Sequence, residues 1–254
     1  MKIKSFFYIA FSILISFNSL AQNKERKFKI HTLAFYNLEN LFDTINDVNK
    51  NDEASPMMEI KFNRGNIYKQ KVSNMARVIS EIGYDVTNRP PTIIGICEVE
   101  NRNVVEDLIA NEKLSKYNYG IVHYDSPDRR GIDVGLLYNK DIFKVINSNS
   151  HVLYINYNNT SDRSYTRDQL VVSGKLDGEL IHLIVNHWPS RGADETKRMA
   201  AAEVNNSIID SLRKIHNNPK IITMGDFNDD PFDKSIKKIL GAKKKIEGVG
   251  KNDL

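Results

Sequence analysis

The sequence predicts a protein of the α/β (α+β) class, in which β-sheets pack on each other and helices flank them. Strand-like and helix-like stretches are mixed along the chain, and several neighbouring strands are close enough to form hairpins. The strongest hairpin signal is Asp177-Gly178, which separates the strand-like residues 169–176 and 180–185. Hairpins fit a purely parallel, doubly wound sheet poorly, so packed sheets with helices outside are favoured.

The individual elements follow from local patterns. Apolar and aromatic runs without breakers predict strands at residues 28–36, 92–97, 119–124, 132–138, 145–155, 169–176, 180–185 and 220–224. Apolar residues at helical spacing predict helices at residues 67–82, 104–114, 195–215 and 233–240. The stretch 43–66 is rich in Asn, Asp, Ser and Pro, and it predicts a long loop.

Residues 1–21 have the pattern of a secretory signal peptide. Two lysines within the first four positions precede an apolar run at residues 6–17, and small residues then lead to Ala21. The run is shorter than the roughly 20 apolar residues that a membrane-spanning helix needs. We therefore expect cleavage near Ala21 and one domain of residues 22–254. The product is expected to be secreted or periplasmic, with no stable membrane span.

Composition places the remainder among ordinary globular proteins. The chain has 254 residues, of which 41% are hydrophobic and 27% charged, and these values are sufficient for a sizeable core. Without the two lysines of the predicted signal peptide, the remainder has 34 basic and 32 acidic residues, and its net charge of +2 argues neither for nor against a nucleic-acid partner. Cys97 is the only cysteine, so an internal disulfide is excluded, and its apolar surroundings predict a buried thiol.

Four of the predicted strands end abruptly in polar residues. These clusters are residues 36–40, 97–101, 186–191 and 225–231. One such cluster would mark only the point where a strand meets solvent. Four clusters drawn from Asn, Glu, His and Asp instead indicate chemistry on a phosphoester. Mg²⁺ prefers carboxylate and amide oxygens, and a phosphoester needs its charge neutralised and a water molecule aligned.

Pairs of polar side chains within these clusters are expected to act together. Residues two apart in a strand share a face. Asn37 is therefore expected to point the same way as Glu39, and Glu98 the same way as Glu100. By the same rule, Asp226 shares a face with Asn228.

Five segments of the chain resemble, in the correct order, the motifs of the endonuclease/exonuclease/phosphatase superfamily. They are Phe35-Tyr36-Asn37-Leu38-Glu39-Asn40-Leu41-Phe42-Asp43, Ile96-Cys97-Glu98-Val99-Glu100-Asn101, Arg130-Gly131-Ile132-Asp133-Val134-Gly135-Leu136-Leu137-Tyr138, Asn186-His187-Trp188-Pro189-Ser190-Arg191 and Gly225-Asp226-Phe227-Asn228-Asp229. Each motif alone is modest, but five in order are specific. The resemblance implies a four-layer α/β/β/α sandwich of two packed mixed β-sheets flanked by helices.

The resemblance also implies a metal site. Glu98 would be the principal ligand of Mg²⁺ or Mn²⁺. Asn37 would lie nearby, on the metal or on phosphate. Glu39 stands where some members of the superfamily place a further acidic ligand.

Four more residues are implied to act on the substrate. Asp226 would orient or activate the attacking water, and Asn228 would hold a phosphate oxygen. His187 would bind the phosphate or assist the leaving group. Arg167, before a predicted strand, resembles an arginine that contacts phosphate.

Neighbouring residues receive structural interpretations. Trp188 is expected to pack the loop rather than to stack on substrate, and Asp229 and Asp230 are expected to be turn residues. Glu100 is either a surface carboxylate or a support for the metal site. The histidines other than His187 show no zinc-like spacing and are interpreted as structural or surface residues.

Three hypotheses of function remain. The first is an exported, monomeric, divalent-metal-dependent phosphodiesterase that acts on nucleic acid as an endonuclease or exonuclease, with no protein partner. The second keeps the chemistry but changes the substrate to a phospholipid, an inositol phosphate or another small phosphoester. An apolar edge near the site, to which Met57, Met58 and Ile60 could contribute, would favour that second hypothesis.

The third hypothesis is a non-catalytic fragment that binds metal and phosphate. The superfamily's last motif is a strand ending in an Asp-His pair, and its His counts among the acid/base residues. No His follows His216, and the residues after Pro231 contain no convincing strand. We therefore expect residues 22–254 to lack the last strand or strands of the domain.

Overall fold

The computed structural model describes residues 28–156 and 162–243, together with 245, 247 and 250. The predicted signal peptide, residues 1–21, lies outside the described residues. The chain divides into two compact units, residues 1–30 and 31–254. In the first unit only residues 28–30 are described, and they are exposed and belong to no helix or strand. Among the described residues, none of the helices has both the length and the apolar character that crossing a membrane requires.

The first sheet carries two of the predicted polar clusters. Its strands are β1 (Leu33–Leu41), β2 (Ile93–Val99), β3 (Tyr119–His123) and β4 (Asp133–Asn139). Their order is β1-β2-β4-β3. β1 and β2 are parallel, whereas β4 is antiparallel to both β2 and β3. The parallel pair therefore brings the ends of β1 and β2 to one edge of the sheet.

The second sheet carries the other two clusters. Its strands are β5 (Phe143–His151), β8 (Gln169–Leu176), β9 (Glu179–His187) and β10 (Lys220–Asp226), in the order β10-β9-β8-β5. β9 and β10 are parallel, and the other pairs are antiparallel. Two short strands, β6 (Ile155–Asn156) and β7 (Arg163–Ser164), pair separately.

The helices are α1 (Pro56–Glu59), α2 (Arg64–Glu81), α3 (Tyr84–Thr87), α4 (Arg102–Ala110) and α5 (Glu195–Ile215). Short 3₁₀ turns lie at Asp52–Ala54 and Ser115–Tyr117, and a π-helical turn lies at Ser235–Ile239. Side chains cap the two helices that follow polar clusters. Asn101 accepts a hydrogen bond from the amide of Val104, and Asp194 accepts one from the amide of Thr196.

Three apolar clusters fill the spaces between four layers. The first packs α2 and α4 against the outer face of the β1-β2-β4-β3 sheet, with Ile79, Ile96 and Leu108 among its members. The second lies between the two sheets and includes Cys97. The third packs α5 against the outer face of the second sheet. The predicted α/β/β/α sandwich of two mixed sheets is therefore confirmed.

Some predicted boundaries were wrong. The first strand spans Leu33–Leu41 rather than residues 28–36, and Phe28 and Ile30 are exposed. The predicted strand at 145–155 is divided into β5 and the short β6. The predicted loop at 43–66 contains the 3₁₀ turn at Asp52–Ala54, α1 and the start of α2.

The apolar edge considered for a lipid substrate is largely buried. Met57 packs with Phe42 and Ile132 in a small core cluster, and Ile60 packs against it. Met58 is half-buried. These residues anchor the long loop to the domain and do not form an exposed membrane-facing edge.

Candidate active site

The four polar clusters meet because the two sheets face each other. In the first sheet Asn37 pairs with Cys97, which places Glu98 directly after the paired position. In the second sheet Asp226 pairs with His187 at the ends of β10 and β9. The packing of the sheets then brings side chains from both strand pairs to one place.

Asn37 connects the two sheets at this place. Its Nδ2 donates hydrogen bonds to Glu98 Oε1 and to Asp226 Oδ2, each over 3.2 Å. Its Oδ1 accepts a hydrogen bond from the backbone amide of Glu39 at 2.8 Å. The amide group therefore holds a carboxylate from each sheet, and its own orientation is fixed by the backbone of β1.

Glu98 is held in an unusual backbone conformation. Its φ is +59°, in the left-handed region that non-glycine residues rarely adopt, and Glu39 and Asn40 opposite it also have positive φ values. The Asn40 amide donates to Glu98 Oε2 at 2.9 Å. Together with Asn37, this amide fixes both carboxylate oxygens of Glu98. The strained backbone and these two hydrogen bonds together fix the direction of the Glu98 side chain.

His187 is buried beside this carboxylate. Its Nε2 lies 3.7 Å from Glu98 Oε1, and its Nδ1 is a buried nitrogen without a hydrogen-bond partner among the described residues. Burial, with the charges of Arg167 and Arg130, lowers the pKa of His187 to about 2. The imidazole is therefore neutral at physiological pH.

Asp226 and Asn228 form a short turn at the end of β10. The Asn228 amide donates to Asp226 Oδ1 at 3.0 Å, and Asn228 Nδ2 donates to the carbonyl oxygen of Trp188 at 3.0 Å. Asn228 itself has a φ of +51°. The turn fixes the Asp226 carboxylate between its own loop and Asn37.

Arg167 lies beneath the site rather than on its surface. It is buried, with Nη1 donating to Asp128 Oδ2 at 3.0 Å and Nη2 to the Trp188 carbonyl at 2.5 Å. Burial by itself raises the pKa of Asp128, but Arg167 and Arg130 lower it below its ordinary value. The contact of Arg167 with phosphate stays a prediction, whereas its support of the 187–188 backbone is a feature of the structure.

The pairings expected from strand alternation were wrong at two positions. The register shifts between Asn37 and Leu41 and again between Cys97 and Val99, so residues two apart do not share a face there. Glu39 is exposed at the rim of the site, where its charge and that of Glu98 act on Lys71. Glu100 turns to another place and accepts a hydrogen bond from the amide of Asp43 at 2.7 Å. Its pKa is raised to about 7, chiefly by burial.

Sequence reasoning missed Lys71, which supports the end of β1. Its Nζ donates to the carbonyl oxygens of Glu39 and Asn40, over 2.5 and 3.0 Å. Burial lowers the pKa of Lys71, while Glu39 and Glu98 act to raise it. The residue occupies a polar position on α2, and nothing in the local pattern distinguishes it from other surface lysines.

The structural interpretations of nearby residues were mostly confirmed. Trp188 is fully buried, donates from Nε1 to Asn186 Oδ1 at 3.1 Å and packs edge-to-face on Phe227. Asp229 does more than form a turn, because it accepts a hydrogen bond from the buried Arg198 at 2.6 Å. That contact anchors the loop after β10 to α5.

The donors around Asn37 fit a hard divalent cation. The carboxylates of Glu98 and Asp226 supply oxygen ligands from two sheets, as Mg²⁺ or Mn²⁺ prefers. Asn37 turns its NH₂ group to both carboxylates, and its Oδ1 accepts the Glu39 amide. Among the described residues, a second group that could hold a metal ion is formed by His123, Asp125 and Asp133.

That second group is already satisfied by internal hydrogen bonds. Asp133 Oδ1 accepts from the amide and hydroxyl of Ser126, at 2.7 and 2.5 Å. Its Oδ2 lies 3.1 Å from His123 Nε2. Asp125 is exposed. The arrangement stabilises the turn before β4, and its interpretation as structural is retained.

Comparisons with known proteins agree with this architecture. The structure of an endonuclease/exonuclease/phosphatase family protein from Bacteroides thetaiotaomicron matches with a TM-score of 0.54 and 16% identity, over 81% of this chain and 66% of that one. The human Nocturnin catalytic domain, solved with bound sulfate, matches with a TM-score of 0.47 and 18% identity, over 66% of this chain and 60% of that one. Humanized D. rerio TDP2 gives a TM-score of 0.48 and 14% identity, over 81% of this chain and 64% of that one.

At 16% identity, the match to the Bacteroides thetaiotaomicron structure shows a similar fold and no more. The chain spans less than two thirds of the length of each of these three structures. A comparison with curated proteins found no match. A sequence model described as the Endonuclease/Exonuclease/phosphatase family matches residues 32–253, which include all five motifs and both sheets. The chain therefore belongs to the endonuclease/exonuclease/phosphatase family.

Proposed function

We propose that this chain is an exported, divalent-metal-dependent phosphodiesterase that hydrolyses nucleic acid. The observation that carries the proposal is the Asn37 amide, which joins Glu98 of one sheet to Asp226 of the other beside the neutral His187. Such a set of fixed oxygen donors and one neutral imidazole suits the hydrolysis of a phosphoester better than acyl or redox chemistry.

Each residue has a distinct task in this proposal. Glu98 would hold Mg²⁺ or Mn²⁺, with Glu39 available at the rim. Asn37 would stand beside the metal and could bind it through Oδ1 only after its amide group rotates, because its NH₂ group faces both carboxylates. When bound, the metal would neutralise charge on the phosphate. Asp226 would orient the attacking water and accept its proton, because Asn37 and the Asn228 amide fix both of its oxygens. Asn228 would hold a phosphate oxygen.

His187 is better suited to binding phosphate than to protonating a leaving group. Because its pKa is lowered to about 2, the ring carries only one N–H at neutral pH. A neutral imidazole can donate that hydrogen bond to a phosphate oxygen, but it holds no second proton to give. Arg167 would contribute by placing the 187–188 backbone and by its positive charge.

A nucleic-acid substrate is favoured by a basic and aromatic surface near the site. Arg129 lies over the Tyr165 ring at 5.4 Å, and Arg163 lies over the rings of Tyr154 and Tyr165 at 5.0 and 4.9 Å. Both tyrosines are exposed, and Arg130, which follows Arg129 in the sequence, is one of the charges that lower the pKa of His187. Arginines interleaved with aromatic rings are typical of surfaces that bind single strands.

The test is cleavage by the mature protein of plasmid DNA, a single-stranded oligonucleotide and phosphatidylinositol vesicles, with Mg²⁺, with Mn²⁺ and with chelator. We expect metal-dependent cleavage of the nucleic acids only. Asp226→Asn should lower the rate by about 10²–10⁴-fold, in the range of a lost general base. Glu98→Gln should abolish the metal-dependent cleavage, because it removes the principal metal ligand. The exposed Glu203→Gln on α5 serves as the matched control.

Cleavage that is indifferent to chelator and to Glu98→Gln would contradict the proposal. Metal-dependent retention of the oligonucleotide without any product would support the non-catalytic hypothesis instead. Cleavage of the vesicle lipid alone would support the phospholipid alternative. Export has its own test, since the amino terminus of protein recovered from the periplasm or medium should begin at Gln22.

A further inference from the structure

A cavity lies between the loop that follows β1 and the loop that precedes β4. Its volume of about 480 Å³ falls within the range of sites that bind small molecules. Lys50 and Asn51 line it from the first loop, Asp128 and Arg129 from the second, and Tyr165 from the segment after β7. The candidate active site leaves this cavity without an assigned role.

Contacts between the two loops hold the cavity in shape. The Asn51 amide donates to the carbonyl oxygen of Arg129 at 2.9 Å, and Lys50 Nζ donates to the carbonyl oxygen of Ser126 at 3.4 Å. The Lys50 side chain also packs on Gly131, where an added Cβ would lie 3.2 Å from Lys50 Cγ. A cavity that is already formed loses less conformational entropy on binding a ligand than a mobile loop does.

Planar side chains form one wall of the cavity. Tyr165 is 44% exposed, and the exposed Arg129 lies over its ring at 5.4 Å. Arg163 lies over the same ring at 4.9 Å and over the Tyr154 ring at 5.0 Å. These cation–π contacts hold the guanidinium of Arg129 and the ring of Tyr165 in defined positions. Flat groups of both kinds are surfaces on which a nucleobase stacks.

The charges around the cavity favour an anionic ligand. Lys50 and Arg129 line it directly. Among the described residues that line it, Asp128 carries the one carboxylate, and that carboxylate is paired with Arg167 and Arg130. A phosphate attached to a bound base would therefore meet positive charge rather than repulsion.

Asp128 also connects the cavity with the candidate active site. Its Oδ2 accepts Arg167 Nη1 at 3.0 Å, and Arg167 Nη2 donates to the carbonyl oxygen of Trp188, the residue after His187. Arg130 is one of the charges that lower the pKa of His187. A strand whose phosphate lies at His187 can therefore place a neighbouring base in the cavity.

We propose that this cavity binds one unpaired nucleobase of the substrate strand, stacked on Arg129 and Tyr165. The inference rests on the proposed action on nucleic acid and adds a substrate class to it, strands whose bases are free to turn outward. Asn51 is exposed at the same cavity, and its side-chain amide can both donate to and accept from the edge of a base. A base within a duplex must first be unpaired and turned out of the stack, at a cost in free energy.

The experiment measures the binding of a fluorescein-labelled single-stranded oligonucleotide by fluorescence anisotropy. The mature Asp226→Asn variant is the background, so that no strand is cut during the titration. The single strand should bind more tightly than a duplex of the same sequence. It should also bind more tightly than a strand of the same length built of abasic sites, which keeps the phosphates and loses the bases.

Variants of the planar wall separate stacking from charge. In the same background, Tyr165→Ala should raise the Kd of the single strand by roughly 5–100-fold, the range of one lost base–aromatic stack. The slope of log Kd against log salt concentration should stay the same, because no phosphate contact is lost. Arg129→Lys keeps the charge but loses the planar group, and it should weaken binding as well. Tyr165→Phe keeps the ring and should bind as the background does.

Tyr84→Ala is the matched control and should leave binding unchanged. Tyr84 is 45% exposed and lines another cavity, of about 620 Å³, together with Glu81 and Glu112. That cavity lies away from the candidate active site, because Gly83 packs against Thr32, which precedes β1, whereas Asn37 lies further along that strand.

Equal binding of the complete and the abasic strands would overturn the proposal, because phosphate alone would then explain the affinity. So would unchanged binding of the single strand by both Tyr165→Ala and Arg129→Lys. Binding of phosphatidylglycerol vesicles in place of the oligonucleotide would assign the surface to a membrane and would also count against it. Since binding is measured without turnover, a protein that binds as described but cuts no strand would contradict the proposed hydrolysis and leave this inference standing.

Discussion

At the scale of single residues, the amide of Asn37 explains how two carboxylates can stand together. Glu98 and Asp226 repel each other as anions, and one NH₂ group donates a hydrogen bond to each of them. A hydroxyl carries a single hydrogen and could not satisfy both. An aspartate at position 37 would add a third negative charge instead. Asparagine is the side chain of this size that can join the two sheets at this point.

The buried pair of Asp128 and Arg167 gives a prediction at the same scale. Asp128→Ala should lower the free energy of unfolding by about 3–5 kcal/mol, because it leaves the Arg167 guanidinium buried without its counter-charge. Urea denaturation followed by circular dichroism measures the change. Asp230→Ala is the control, because its partner Arg191 is exposed and solvent screens the pair, so the loss of stability there should be much smaller.

The same pair should make stability depend on pH in a defined direction. Arg167 and Arg130 hold the pKa of Asp128 below its ordinary value in the folded protein. The stabilisation that the ionised Asp128 gives to the folded state is therefore fully present above the unfolded-state pKa of about 4. It is lost as the pH falls through the lower, folded-state value. The difference in the free energy of unfolding between the wild type and Asp128→Ala should therefore become smaller in strong acid. A difference that widens there would contradict this account.

The sequence predicted which residues meet at the site better than how each one points. Asn37, Glu98, His187 and Asp226 are brought together as expected, because parallel strand pairs place their ends at one edge. Glu39 was placed by counting alternate residues, and that rule fails where φ is positive at residues 39, 40 and 98. Left-handed backbone at non-glycine residues leaves no local signal, since only the surrounding structure enforces it.

At the scale of elements, the junction of β9 and β10 depends on Gly225. Its φ is +154°, and a Cβ there would lie 2.2 Å from the backbone oxygen of Asn186 on β9. Gly225→Ala should therefore push β10 away from β9 and displace Asp226, the next residue. We expect this overpacking to lower the free energy of unfolding by about 1–3 kcal/mol beyond the cost of the backbone conformation. Urea denaturation measures the change, and activity should be weaker as well.

Gly178→Ala is the control for Gly225→Ala. It carries the cost of placing alanine at a positive φ, but it adds no clash. Gly178 also has a positive φ, +89°, but a Cβ there would meet nothing within 4 Å. Its replacement should destabilise the β8–β9 turn and leave activity per folded molecule unchanged. Equal effects of the two substitutions on activity would contradict the role given to the β9–β10 contact.

Elements that are bounded by a capping residue or a clear turn were predicted at their observed limits. The helix at residues 195–215 begins after the capping Asp194, and the strand at 169–176 ends at Asp177-Gly178, where both residues have positive φ. The first strand was displaced because its limits are set by a distant partner. Leu33 is the first residue to pair with β2, at Ile93.

At the scale of the whole molecule, stability comes from the three apolar clusters between the layers, without covalent cross-links. Cys97, the only cysteine, is fully buried between the two sheets. Burial, with the charges of Glu98 and Asp226, raises the pKa of its thiol. The neutral, enclosed thiol should therefore react only when the sheets separate.

Alkylation of Cys97 should then report global unfolding. The labelled fraction, measured by mass spectrometry after a short pulse of iodoacetamide at increasing urea, should follow the transition seen by circular dichroism. Cys97→Ser is the control for labelling at other residues. Rapid labelling in buffer without urea would show that the two sheets open locally, against the close packing described above.

The hydrogen bond between Asn37 and Asp226 joins residues 189 positions apart. A ribosome must therefore complete most of the chain before these two groups can meet. A polypeptide that is still being made, or that is threaded unfolded through a translocation channel, contains no assembled site. On the proposed function, a cell could synthesise and export this nuclease without exposing its own nucleic acid to it, because folding itself is the step that activates the enzyme.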